Sequence, residues 1–209
     1  MKIKNISIKN EGYVYCKSSF YSTCDSLSNY ICYSFSSGIN KLIGEIDSGN
    51  WAISYLLSMY NHRPEDFILF EQPKITINDK LISLNEFLMF SCYMDELDPL
   101  FSKVNSVKEH VIQGLYQSNI NYSSNDIREL FQIDTERFER PLKGIGNEIF
   151  RAMAAIGFSY EKEVFCFPWL SNKRFENYHE NLVSLLKILD SLEKTVIIPI
   201  GVPNPKTNL

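Results

Sequence analysis

The sequence predicts an α/β protein in which a β-rich first third leads into a parallel sheet flanked by helices. The last third runs strand, helix, strand over Val164 to Phe167, Asn181 to Leu192 and Thr195 to Ile200, the rhythm of a parallel core. The apolar run Ile39 to Ile43 enters Gly44, and after Gly49 an apolar helical pattern runs from Trp51 to Tyr60. The first third carries β-branched and aromatic runs punctuated by glycine and serine turns, which suits pleated surfaces.

In order along the chain, Ile3, Ile6 and Ile8, then Val14, then the run Tyr30 to Phe35 read as strands, with turns at Gly12 and Ser37-Gly38. Pro64 closes the first helical region. Lys74 to Ile82 reads as strand–turn–strand with Asn78-Asp79 at the turn. From Ser102 to Arg140 the chain turns more polar and mainly helical, and Ser123-Ser124-Asn125-Asp126 makes a helix start before Ile127, Leu130 and Phe131. Glu148 to Phe158 is helical, its Ala152, Ala154 and Ala155 favouring close packing. There is no internal repeat and no low-complexity segment.

Length and composition bound the function. At 209 residues, 44% apolar and 22% charged, the chain is an ordinary globular protein with a sizeable core. A net charge of −4 gives no basic face for nucleic acid, so no nucleic-acid partner is expected. No apolar run has the length to span a bilayer, and Met1 to Asn5 lacks the apolar stretch of a signal peptide. A cytoplasmic location is therefore expected. Cys16, Cys24, Cys32, Cys92 and Cys166 show no CxxC spacing, and His62, His110 and His179 stand far apart. No metal site is expected from them, and no local signature supports a Cys or Ser nucleophile system.

The most informative stretch is Gly44 to Trp51. An apolar strand, then Gly44, four residues, Gly49 and a helix give the outline of a nucleotide-binding P-loop. A working loop continues with Lys and then Ser or Thr, for the phosphates and the magnesium ion; this chain has Asn50 and Trp51. Other landmarks extend the pattern. Lys74 to Lys80 is similar to a "G-x-I-x-I-N-G" hairpin. Cys92-Tyr93-Met94-Asp95, then Leu100-Phe101 and Ser106-Val107-Lys108-Glu109, is similar to a Q-loop and the helix opening after it. Pro141 to Gly146 stands where an "L-S-G-G" signature would, and Val164 to Phe167 where a Walker B strand would. In order and spacing the chain resembles the ATP-binding subunit of ABC transporters over nearly its full length.

That resemblance implies a P-loop NTPase-like ABC ATPase fold: an N-terminal antiparallel β part, a mixed or parallel core sheet flanked by helices, and a helical subdomain. It also implies one ABC ATPase-like domain over 1–209, divided into a β-rich part (1–95), a helical subdomain (96–158) and the C-terminal part of the core (159–209). By the same resemblance, Gly44, Asp47, Ser48, Gly49, Asn50 and Trp51 form a vestigial nucleotide loop. The departures recur at every motif. The Q-loop Gln is Asp95, and the signature reads Lys143-Gly144-Ile145-Gly146. The Walker B Asp and catalytic Glu fall on Pro168 and Trp169, and the switch His falls on Ile200.

Asn50 in place of Lys forfeits a charge-assisted bond worth about 1.5–3 kcal/mol. Trp51 offers a hard cation no oxygen and is expected to crowd the loop. A positioned acid or base is worth about 10²–10⁴-fold in rate, and Trp169 supplies neither. The expectation is thus a non-catalytic subunit with no catalytic residue, no metal and no cofactor, ATP and magnesium entering only if it is a weak ATPase. Family analogy implies a membrane permease as partner, a homodimer or a heterodimer with a competent ABC ATPase, a place at the inner face of the membrane, and peptide or antimicrobial export or immunity as the setting. An unrelated α/β binding or immunity module is the remaining alternative. Simpler readings stand beside these: Trp51, Phe167 and Trp169 as core or interface aromatics, Asp95, Glu96 and Asp98 as a solvated acidic loop or a cation-binding pair, Glu136, Arg137, Glu139 and Arg140 as an exposed charged helix end, and Gly44 and Gly49 as a plain turn retaining weak anion binding.

Overall fold

A computed structural model describes residues 2–10, 14–17, 24–27, 31–45, 48–69, 71–101 and 105–201. Its centre is a parallel sheet of β5 (Gly38–Ile43), β9 (Ser91–Tyr93), β10 (Val164–Cys166) and β11 (Thr195–Ile200), in the order β5-β11-β10-β9. The last strand is thus inserted between the first strand and β10, and all its described neighbours run parallel to it. Both faces of this sheet are covered, which is why its strands read as unbroken apolar runs rather than alternating ones. Phe165, Phe167, Val196, Ile198 and Ile200 enter one core; Tyr93, Val164, Cys166 and Ile197 enter the other. The period of two sends neighbouring side chains to opposite faces.

The first core holds α3 (Val107–Gln117), α4 (Ser124–Leu130), α5 (Thr135–Phe138), α6 (Ile149–Ser159), α7 (Asn172–Asn177) and α8 (His179–Ser191) against the sheet. The second holds α1 (Asn50–Met59) and α2 (Leu84–Phe90) together with an antiparallel sheet. That sheet has the order β4-β1-β7-β8, from β1 (Asn5–Asn10), β4 (Ile31–Ser36), β7 (Lys74–Ile77) and β8 (Lys80–Ile82). Ile6, Ile8, Ile75 and Ile77 supply its buried face. A third small sheet joins β2 (Val14–Lys17), β3 (Cys24–Leu27) and β6 (Phe67–Leu69).

The turn predicted at Asn78-Asp79 closes the β7–β8 hairpin with both residues left-handed, at φ 50° and 64°, the primed turn that matches strand twist. Asn78 also clamps the N-terminal strand, its Oδ1 accepting from Lys4 N at 2.7 Å and its Nδ2 donating to Lys2 O at 2.9 Å. α3 and α4 each start on a capping box, Ser106 with Glu109 and Ser123 with Asp126. Among the described residues five elements were not anticipated: β3, β6, α2, β9 and α7. Among the described residues no helix is long and apolar enough to cross a membrane.

Candidate functional site

The strand–turn–helix expected between Ile43 and Trp51 is present. β5 ends at Ile43, and Gly44 N–H donates to Ile200 O of β11 at 3.0 Å. Gly49 caps α1 at φ 87°, a conformation that favours glycine. Ile46 and Asp47, the latter a predicted loop residue, lie outside the described residues. The side chains of Ser48 and Asn50 fold back onto Gly44. A Cβ built there would collide with Ser48 Oγ and lie 2.6 Å from Asn50 Nδ2. Gly44 is therefore required by the close approach of its own loop, not only by the turn.

Trp51 does not crowd this loop, contrary to expectation. Its side chain is turned into the core, 2% exposed, with Nε1 donating to Tyr93 Oη at 3.3 Å and the indole stacked on Tyr55 at 5.3 Å. The core-aromatic reading describes it. The physical reason is that α1 is buried on every side, with Trp51 through Met59 all inaccessible, so position 51 faces packing rather than the loop opening.

The segment after β10 closes the same corner from the other side. Pro199 in β11 has no N–H, and in a regular parallel ladder that N–H would donate to the Phe167 carbonyl. Ser54 of α1 takes its place, Oγ donating to Phe167 O at 2.6 Å. Pro168 is buried, and the chain then pairs again with β11, Leu170 N–H donating to Pro199 O at 3.0 Å and Gly201 N–H to Leu170 O at 2.9 Å. This brings Trp169 over the loop, where Nε1 donates to Gly44 O at 3.2 Å. Gly44, Ser48, Asn50, Trp169 and Ile200 thus meet at the carboxyl end of the parallel sheet, the place where open α/β sheets bind ligands. At positions 51, 168 and 169 no side chain carries an oxygen.

Asp95 lies at the end of β9, half-buried, with Oδ1 accepting from Leu97 N–H at 3.1 Å. Asp98 corrects the reading of this stretch as a solvated acidic loop: it is 4% exposed. Its Oδ2 accepts from Tyr93 N–H at 2.7 Å and its Oδ1 from Leu100 N–H at 2.9 Å, so the carboxylate ties the loop back to its strand. Burial pushes the Asp98 carboxyl above the ordinary range; the two N–H bonds, His62 and Lys162 pull the other way. Burial likewise pushes the Cys166 thiol up to about 12, which makes it an inert core thiol as expected. Lys143 and Gly144 sit exposed on a 3-10 turn over Leu142–Gly144, while Ile145 is buried in the helical core. Glu136, Glu139 and Arg140 form a charged surface joined by Arg140–Glu136 and Lys108–Glu139 pairs, while Phe138 between them is buried. Among the described residues no three His, Cys, Asp or Glu side chains converge on a metal position.

No protein-family model and no curated protein sequence matches the chain. Solved structures do. A protein described as an ABC transporter ATP-binding protein from Pyrococcus furiosus superposes with a TM-score of 0.63 over 98% of this chain and 94% of that one, at 13% identity. The chain has the fold of an ABC ATPase. Two further structures share that fold. A dimeric ATP-binding cassette in a post-hydrolysis state, bound to ADP and Pi, matches with a TM-score of 0.59 over 96% of this chain and 89% of that one, at 9% identity. A bacterial Atm1-family ABC exporter with ATP bound matches with a TM-score of 0.59 at 11% identity, over 98% of this chain but 35% of the exporter.

Within this ABC ATPase fold, the loop and Trp169 are in contact at one corner, Asp95 stands at the end of the far strand, and Lys143 and Gly144 lie on the helical side. Sequence reasoning missed Ser54 and the Gly44 carbonyl as partners of the segment after β10. The available signal was the proline at 199, whose missing donor requires a substitute.

Proposed function

We propose that the chain is a non-catalytic ABC-type subunit whose nucleotide loop is filled by its own side chains, and that it serves as a structural partner of a membrane permease. The observation that carries this reading is the hydrogen bond from Trp169, at the catalytic carboxylate position, to the Gly44 carbonyl of the loop, with Ser48 and Asn50 folded against the same glycine. The residues present do not fit a magnesium–nucleotide complex. Asn50 adds no positive charge, and positions 51 and 168 offer no side-chain oxygen to a hard cation. No phosphoryl-transfer step can be built from these residues.

Two features support partnership over catalysis. The helical layer exposes an apolar ridge on α3, with Ile112 48% and Tyr116 91% exposed one helical turn apart. Helical subdomains contact the permease in transporters of this fold, and a ridge of this kind suits such a contact. Two neighbours also offer a pattern to borrow: one was solved as a dimer and one as a whole exporter. A homodimer, or a heterodimer with a competent ABC ATPase, at the inner membrane face follows by analogy. Peptide or antimicrobial export, or immunity, is the setting we favour.

Steady-state ATP turnover with and without magnesium tests the reading. Background turnover alone is expected from the purified protein. Magnesium-dependent turnover that disappears when Gly49 is replaced by a bulky residue would instead establish a weak ATPase. Copurification with a permease-like membrane protein or an ATPase with intact motifs is expected; recovery of neither from the native host would remove the partnership half of the proposal.

A further inference from the structure

On the helical face of the sheet, at the ends of β9 and β10, a cavity of about 310 Å³ opens between the loop at Asp95, the first turns of α6, and α7. Its volume is at the small end of the range for small-molecule sites, about 300–1,000 Å³. The floor is apolar and adaptable: Met94 and Met153 are buried beneath it, and thioether side chains fill irregular gaps easily. Phe150 and Tyr178 meet edge to face at 5.4 Å and make an aromatic wall.

Arg174 stands at the mouth. Each of the chain's other arginines has a partner: Arg63 with Asp66, Arg128 with Glu129, Arg137 with Glu148, Arg140 with Glu136, and Arg151 with the Gln132 carbonyl. The Arg174 guanidinium alone has none among the described residues. Across the rim, the Asp95 and Glu96 residues are both already engaged.

We propose that this cavity binds a compact monocarboxylate with an aromatic or branched apolar body, its carboxylate paired with Arg174. A guanidinium presents a planar fork of donors that matches one carboxylate. The apolar floor and the Phe150–Tyr178 wall take the body of the ligand. One guanidinium beside two rim carboxylates can offset a single negative charge but not several, so a nucleotide triphosphate or a phosphate dianion is the wrong class. The site lies across the sheet from α1 and does not depend on the state of the Gly44 loop. A ligand here touches both the loop at Asp95 and the helix that follows Trp169, so binding would bridge two segments next to the sheet end.

The test uses the full chain with its methionine methyl groups labelled for NMR, titrated with phenylacetate, indole-3-acetate and 4-methylpentanoate. Phenylacetamide and inorganic phosphate are the controls. The expected result is saturable shifts of the Met94 and Met153 methyls, with a Kd between about 10 µM and 1 mM for the best carboxylate. Phenylacetamide is expected to bind at least about tenfold more weakly than phenylacetate, and the exposed substitution Arg174→Gln to weaken the carboxylates by about tenfold or more. The absence of saturable shifts with every carboxylate up to about 10 mM would overturn the proposal. Equal binding of the amide, indifference to Arg174→Gln, or equal shifts from phosphate would overturn it as well.

Discussion

The loop after β5 and the loop after β9 leave the same end of the same parallel sheet, yet they are secured by different chemistry. The first is held by neutral groups: Ser48 and Asn50 pack on Gly44, and the Trp169 indole donates to the Gly44 carbonyl. The second is held by a buried carboxylate, Asp98, which accepts from Tyr93 and Leu100 N–H groups. Among the described residues, the side chains packed against Gly44 are all uncharged. At the second loop the buried charge of Asp98 is spent within the chain, on the Tyr93 and Leu100 N–H groups. The difference teaches that the Gly44 corner is held by packing and neutral hydrogen bonds, whereas the loop after β9 is held by a carboxylate.

The sharpest way to break this comparison is to repair the motif. Trp51→Ser would put a hydroxyl where the proposed reading sets the magnesium position, but Trp51 is a core residue bonded to Tyr93. Denaturant unfolding should show a loss of about 3–5 kcal/mol, as for other buried aromatic truncations. A loss below about 1 kcal/mol would mean that position 51 is free to serve the loop.

Next in size is Asp98→Ala, which leaves the Tyr93 and Leu100 N–H groups buried without their acceptor. A loss of about 2–4 kcal/mol at neutral pH is expected by the same measurement. The charge of this group also gives the two loops different pH behaviour. Because burial raises its folded pKa above the ordinary 3.8, the folded protein holds the Asp98 proton more firmly than the unfolded chain does. Its contribution to stability is therefore greatest in acid and is lost as pH rises through the raised pKa. The stability of the wild-type protein relative to Asp98→Asn should accordingly rise as pH falls from neutrality toward 3.8. A flat difference, or one of opposite slope, would contradict the assignment.

The smallest effect belongs to the neutral loop. Trp169→Phe keeps the ring and removes the donor to Gly44 O, for an expected loss of about 0.5–1.5 kcal/mol. Amide exchange at Gly44, whose N–H bonds Ile200 O, should quicken with it. That change should be independent of pH once intrinsic exchange is allowed for, unlike the Asp98 variants.

Much of the fold was legible because its signals are local. Val164 to Phe167 and Thr195 to Ile200 are unbroken apolar runs, and such runs mark strands buried on both faces. Asn78-Asp79 named its own turn, and Ser123 its own helix cap. The elements that escaped were short. β3 and β6 are held by pairing with β2, and pairing between distant segments leaves little trace in a short run. α2 carries a local signal in Ser83 and Glu86, which form its capping box. At the candidate site order and spacing could suggest which residues stand at motif positions, but not what those residues touch. Trp51 and Trp169 look equivalent in the sequence, two tryptophans that the resemblance sets at the magnesium-hydroxyl and catalytic-carboxylate positions. Only the fold separates them, turning one into the core and laying the other on the loop. Asp98 was misread because burial of a single carboxylate depends on chain folding around it, which no neighbouring residue announces.

The central claim is that the Gly44 loop is filled from within and has no place for a magnesium–nucleotide complex. Calorimetric titration of the full chain with ATP and magnesium tests it most directly. The account predicts no binding tighter than about millimolar, since the remaining contacts are backbone N–H groups and an uncharged Asn50. Sub-micromolar binding that depends on magnesium would contradict it.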